Sequence, residues 1–224
     1  SKMRLKSVAS RLIVLVGVVL VPMVVIGVYQ ASGALEARLV HEAYSGLHRL
    51  GDTLKRSLRH DMRRDDREGV TDAIRNVGAQ AGIDAIRIYN KEGEICFSSD
   101  EAELHTRVGI DDDACKACHK RSIPVSQLPP EEMSTIMTSA DGHRGYHIVQ
   151  PIYNERGCSV AACHVHSADQ KVLGLLGIIV SLDEIDAELS SLRKRAFVAM
   201  GIGILLLGMV IALAVRRTVT RPIK

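Results

Sequence analysis

Two apolar runs bracket the chain and limit what the rest of it can become. Leu12 to Tyr29 is apolar apart from two glycines and Pro22, and Ala196 to Val215 carries no charge. Each is long enough to cross a bilayer as a helix, because a hydrocarbon core of about 30 Å takes roughly 20 residues. A secretory signal would also place basic residues before an apolar run. Here the run is long for a signal, no small-x-small cleavage site follows it, and a helical pattern continues past it. It reads as a retained anchor.

Lys2, Arg4, Lys6 and Arg11 precede the first run, and Arg216, Arg217, Arg221 and Lys224 follow the second. Basic flanks stay on the cytoplasmic side, so both termini are expected there. Residues 1–11 are then a cytoplasmic N-terminus, 12–29 and 196–215 two transmembrane helices, 30–195 one medium domain outside, and 216–224 a second cytoplasmic segment. Arg193, Lys194 and Arg195, on the outer flank of the second span, run against this rule. The net charge of +3 reflects these flanks and gives no reason to expect nucleic acid.

The domain between the spans carries Cys115-Lys-Ala-Cys118-His119 and Cys158-Ser-Val-Ala-Ala-Cys163-His164. Two thiols that add across the vinyl groups of a haem, with a histidine directly after them to reach the iron, give a covalently tethered, singly ligated cofactor. Both stretches read as c-type haem sites, the first with the common C-x-x-C-H spacing and the second with the rarer C-x4-C-H. Two covalently bound haem c groups are expected. A split zinc ribbon and a pair of disulfides use the same four cysteines, but neither needs a histidine after each pair. Attachment of haem c takes place outside the bacterial inner membrane, which agrees with the orientation drawn from the basic flanks.

Around the motifs the chain alternates in character. Leu39, Ala43, Leu47, Leu50, Leu54, Leu58 and Met62 recur at three- and four-residue steps, the period of one helical face. This long helix packs on the domain below or on the same helix of a second chain. Val70 to Val77 reads as a short helix. Ile83 to Tyr89 and Glu94 to Ser98 read as a hairpin about Asn90-Lys91-Glu92-Gly93, with Ile86 and Ile88 on one face and Ile95 and Phe97 paired on another. Ser99 to Gly142 is polar and reads as irregular, ordered by the haem at Cys115. Arg144 to Tyr153 is a strand, Lys171 to Ser181 a strand buried on both faces, and Asp183 to Arg195 a helix entering the second span.

The stretches Ile86-Arg87-Ile88-Tyr89-Asn90-Lys91-Glu92-Gly93-Glu94-Ile95 and Pro151-Ile152-Tyr153-Asn154-Glu155, the two motifs, and Leu173-Gly174-Leu175-Leu176 resemble the PAS-like extracytoplasmic sensor domains of bacterial chemoreceptors and histidine kinases, in particular those carrying haem c. The resemblance implies an α+β fold: an antiparallel sheet with long flanking helices and two haem-bearing loops, between two transmembrane helices. Thr220-Arg221-Pro222-Ile223 looks like the opening of a HAMP relay, with any kinase or other output expected beyond Lys224. A sensor of this kind responds to redox state or a diatomic gas, works as a homodimer and signals through the second span. The other reading is a membrane-anchored dihaem cytochrome that passes electrons to a redox partner. No nucleophile-base set or phosphate loop points to turnover in this chain.

His119 and His164 are the proximal iron ligands that the attachment geometry supplies. Candidates for the distal positions are Met62, His60, His147, His143 and His166. Met62 ends the apolar stripe, whereas His60, two residues away on the helix, points to nearly the opposite side; ordinary core packing for Met62 and a solvated surface for His60 are the competing readings. His147 shares a strand face with Val149, and His143 lies just before that strand. His166 follows His164 too closely for both to bind one iron. His41 and His48 read as polar-face residues, and Cys96 as a small packed residue.

Overall fold

The computed structural model describes residues 8–109, 112, 115, 133–139, 141–159, 167, 169–215 and 217. Helix α1 is Val8–Arg63 and α2 is Arg67–Gly78. Strands β1 (Ile83–Asn90) and β2 (Ile95–Ser98) follow, then a 3-10 turn at Glu101–Glu103, β3 (Ser134–Thr138), β4 (Arg144–Tyr153), the four-residue α3 (Arg156–Ser159), β5 (Val172–Ser181) and α4 (Asp183–Val215). The chain divides into two units: one takes it through Leu39 and again from Ile185, and the other is Val40–Glu184.

The first unit is helical. Its stretches of α1 and α4 are long and apolar enough to cross a membrane. Val18, Met23, Ile26, Leu205, Leu206 and Val210 are all exposed, and leaving side chains of this size in water forgoes roughly 1.5–3 kcal/mol each. A bilayer removes that penalty. Near the end of these runs the Tyr29 and Phe197 rings meet edge to face at 6.2 Å, and Arg193 lies 3.8 Å from Glu36.

The second unit is α+β. Its five strands form one antiparallel sheet in the order β2-β1-β5-β4-β3. β5 is the central strand with both faces covered, which is why its sequence is apolar at nearly every position. Ile86, Ile88, Ile148, Leu176 and Ile178 share one face by register and are buried. Leu47, Leu54 and Leu58 of α1 and Val70 and Ile74 of α2 are buried as well, and these helices cover that face. Gln150 Nε2 donates to the His48 carbonyl at 3.0 Å, and the Tyr44 and Tyr146 rings meet edge to face. Gly51 makes the approach possible, because a Cβ there would stand 2.6 Å from Gln150 Oε1.

Three local readings are corrected. The stretch read as irregular contains the 3-10 turn and the edge strand β3, whose Ser134–Thr138 sequence has no strong alternation and is recruited by pairing with β4. α2 begins three residues earlier than the apolar pattern, because Asp66 caps it by accepting from the Gly69 amide at 2.9 Å. Ile95 and Phe97 do not share a face: Tyr89 pairs with Ile95 and Ile88 with Phe97, so the register slips by one residue at Cys96. A β-bulge breaks the period of two that the sequence reading relied on.

Candidate functional site

A cavity of about 520 Å³ opens where the C-terminal part of α1 meets the sheet, within the rough 300–1,000 Å³ range of small-molecule sites. Val70, Ile88, Phe97, Ile152 and Leu173 give it apolar walls, Lys55, Arg56, Arg59, Arg63 and Arg67 a cationic edge, and Met62, Cys96 and Cys158 three sulfurs. Met62 reaches it because it lies on α1 beside Lys55 and Arg59 at helical spacing. His60, turned about 200° away from Met62, is not among the lining residues; its Nε2 lies 3.5 Å from Arg64. The helix thus separates the two candidates as their spacing predicted.

Cys158 sits in α3, on a loop fastened at both ends. Asn154 closes the neck: its amide donates to the carbonyls of Ser167 at 2.9 Å and Gln170 at 2.8 Å. Arg59 pairs with Glu155 at 2.7 Å, and the Cys158 amide donates to the Glu155 carbonyl at 2.8 Å. The first cysteine of the second motif is therefore held against the same helix that presents Met62. Arg67 lies 5.1 Å over the Phe97 ring, which keeps that wall in place.

Cys115 lies on the other face of the sheet. It is buried in a cluster with Tyr89, Ile95 and Val149, with Val108 and Leu175 packed against them. The strap leading to it is pinned: both carboxylate oxygens of Glu103 accept from Arg87, Ser98 Oγ donates to the same carboxylate at 2.9 Å, and the Val108 amide donates to the Gly93 carbonyl at 2.9 Å. The paired guanidinium holds the Glu103 carboxyl below its ordinary range. His147 shares the Cys115 face. A Cβ on Gly177 would stand 3.0 Å from Tyr89 Cε2 and 3.1 Å from His147 Nε2, so both rings lie close over that glycine, and His147 is only 2% exposed. Cys115 and Cys158, on opposite faces of the sheet, do not both reach one zinc ion, whose bonds to sulfur are about 2.3 Å long.

His143 is on the surface, its Nδ1 3.0 Å from both carboxylate oxygens of Asp183 at the start of α4. That contact raises the imidazole pKa and lowers that of Asp183. Cys118, His119, Cys163, His164 and His166, like the Thr220–Ile223 segment, lie outside the described residues. Among the described residues no group of three His, Cys, Asp or Glu side chains could hold a metal ion, and Cys96, Cys115 and Cys158 form no disulfide. The sequence reading missed the lining arginines, although Arg56, Arg59 and Arg63 recur at i, i+3 and i+7 and so were legible as one helical edge. It also missed Tyr89, whose strand neighbours carry it into the Cys115 cluster. No family model matches this chain, and it matches no curated protein.

Proposed function

We propose that this chain is a membrane-anchored sensor of the bacterial inner membrane, with both termini cytoplasmic and a periplasmic PAS-like unit carrying two covalently bound haem c groups. The observation that carries the reading is the cavity shared by Cys158 and Met62. It combines what a tethered haem requires: a thiol at the wall, apolar surfaces for the ring and a soft sulfur on a rigid helix for an axial position. On the Cys115 face a thiol packs among Tyr89, Ile95 and Val149, and an imidazole, His147, shares that face; these residues support a second group there.

When bound, haem supplies a one-electron couple and an iron that takes axial ligands. Cys158 and Cys163 with His164 would hold one group, with Met62 offering a further sulfur to its iron; Cys115 and Cys118 with His119 would hold the other, with His147 on that face. The chain's own part is to position these atoms and to exclude water from the walls. Tyr89 and Gly177 fix the His147 ring, and the Arg59–Glu155 pair fixes the Cys158 loop to α1. A change of redox state or of gas ligand at such a group would act on the residues of α1 and the sheet that hold it, and signalling requires that the two states differ in helix arrangement. A homodimer relays that difference through α4.

A dihaem electron carrier is the second reading, favoured by the placement of the two cysteines on opposite faces of a single sheet layer. Two measurements separate the outcomes. Mass spectrometry of acid-acetone-precipitated protein should show two added haems, one lost in Cys115→Ala and the other in Cys158→Ala; an unmodified chain overturns both readings. Spin labels at Ser191 in the reconstituted full chain should then report an inter-chain distance that changes between ferric and ferrous protein or with gas bound. A distance that stays fixed across these states replaces the sensor by the carrier. Met62→Ala should abolish a sulfur-to-iron band in the ferric spectrum that His60→Ala leaves intact.

A further inference from the structure

The cavity holding Met62 and Cys158 has two unlike sides. Val70, Phe97 and Leu173 belong to an apolar one, and the edge of α1 makes the other, with Arg56, Arg59 and Arg63 in one row. These cations are not equally engaged. Arg59 is committed to Glu155 at 2.7 Å, as its neighbour Lys55 is to Asp52 at 3.1 Å. The Arg63 guanidinium lies over the backbone next to Cys158, since a Cβ on Gly157 would be 3.4 Å from it. Arg56 is exposed and has no hydrogen-bond or ion-pair partner among the described residues. Of the two other acids in the lining, Asp65 and Asp66, Asp66 is turned to its capping role. An apolar wall facing a row of guanidinium groups complements a ligand that is apolar over most of its surface and carboxylated on one edge.

We infer that Arg56 and Arg63 bind the propionate carboxylates of the haem attached at Cys158, fixing how the ring is turned in the cavity and raising the reduction potential of its iron. This rests on the haem reading above. The sign follows from charge: an uncompensated carboxylate near the iron favours the more positive ferric state, and a paired guanidinium cancels that preference. Arg63 acts next to the attachment point, and Arg56 acts two turns back along the same edge. Because Arg56 is exposed, its effect is screened by salt.

The test uses the full holo-protein in detergent, with the Cys158-side signal identified by its loss in Cys158→Ala. Spectroelectrochemical titration should show the ferric-to-ferrous ratio of that haem, at fixed applied potential, rising roughly three- to tenfold in Arg56→Glu, about 30–60 mV for a one-electron couple. Arg56→Gln should give a smaller shift in the same direction, Arg56→Lys should restore most of the wild-type value, and the Cys115-side haem should be unmoved. The wild-type shift should shrink with added salt, and Arg56→Gln should lose that dependence. A chain with no haem at Cys158 by mass overturns the haem reading and the inference together. Haem present at Cys158 with the same potential in wild type, Arg56→Glu and the Arg56→Gln/Arg63→Gln double variant overturns the inference alone.

Discussion

The two faces of the sheet are built by different means. One is closed by α1 and α2, whose buried Leu54, Leu58, Val70 and Ile74 meet Ile86, Ile88, Leu176 and Ile178; a cavity opens by the C-terminal part of α1. The other face carries, among the described residues, a smaller cluster around Tyr89, Ile95, Val149 and Cys115, joined to a pinned strap. The first face has a core that its own aliphatic side chains complete. On the second, a tyrosine ring and a thiol pack among aliphatic side chains.

This contrast breaks most easily at the core. Leu58→Ala, at 1% exposure, should cost about 2–5 kcal/mol as a cavity in the helix-covered face. Val149→Ala should cost about 1–2 kcal/mol for two lost methyl groups. Urea unfolding of the two variants in the same detergent checks the order, and equal losses would mean that the two faces contribute alike.

Close packing gives a finer comparison. At Gly177 a Cβ meets the rings of Tyr89 and His147, both buried and neither able to swing away, so Gly177→Ala should lose roughly 1–3 kcal/mol and move the His147 ring resonances. At Gly51 the clash is with the end of the Gln150 side chain. Rotating that amide forfeits one hydrogen bond, about 1 kcal/mol, which the helix preference of Ala over Gly offsets by nearly the same amount. Gly51→Ala should therefore be close to neutral, and a loss there larger than at Gly177 would invert the assignment of rigid and yielding sides.

The smallest effect belongs to the surface pair His143 and Asp183, with Asp84 and Asp141 also near the imidazole. The hydrogen bond to Asp183 raises the His143 pKa above its ordinary 6.5, so its contribution is whole below 6.5 and is lost as pH rises through the raised value. The bond to His143 lowers Asp183 from 3.8, so its contribution is whole above 3.8 and is lost as pH falls through the lowered value. His143→Gln should remove a stabilisation of the start of α4 that is complete between these two ordinary values and fades outside them. Stability curves of variant and wild type that differ by the same amount from pH 4 to pH 9 would show that the pair does not form.

Much of this was legible without coordinates, and the failures are local. Period alone placed α1 through Met62, put Met62 and His60 on different sides, and located β1, β4, β5 and the helix running into the second apolar segment. β3 was lost because an edge strand of polar and mixed residues takes its conformation from β4 and not from its own pattern. The facing of Ile95 and Phe97 was lost because one bulged residue reverses every alternation beyond it. Cys96 enters the cavity for the same reason.

The sequence by itself determined the two apolar helices, the α+β composition of the unit between them, the paired cysteine motifs and the candidate ligands, since these depend on residue type and spacing along one chain. Only the tertiary structure decided how they are grouped. Met62 joins Cys158, and His147 shares a face with Cys115, because strand order and register bring together residues far apart in the sequence. Local propensity carries no information about contacts at that separation. They are fixed by which side chains close the core when β5 settles between β1 and β4.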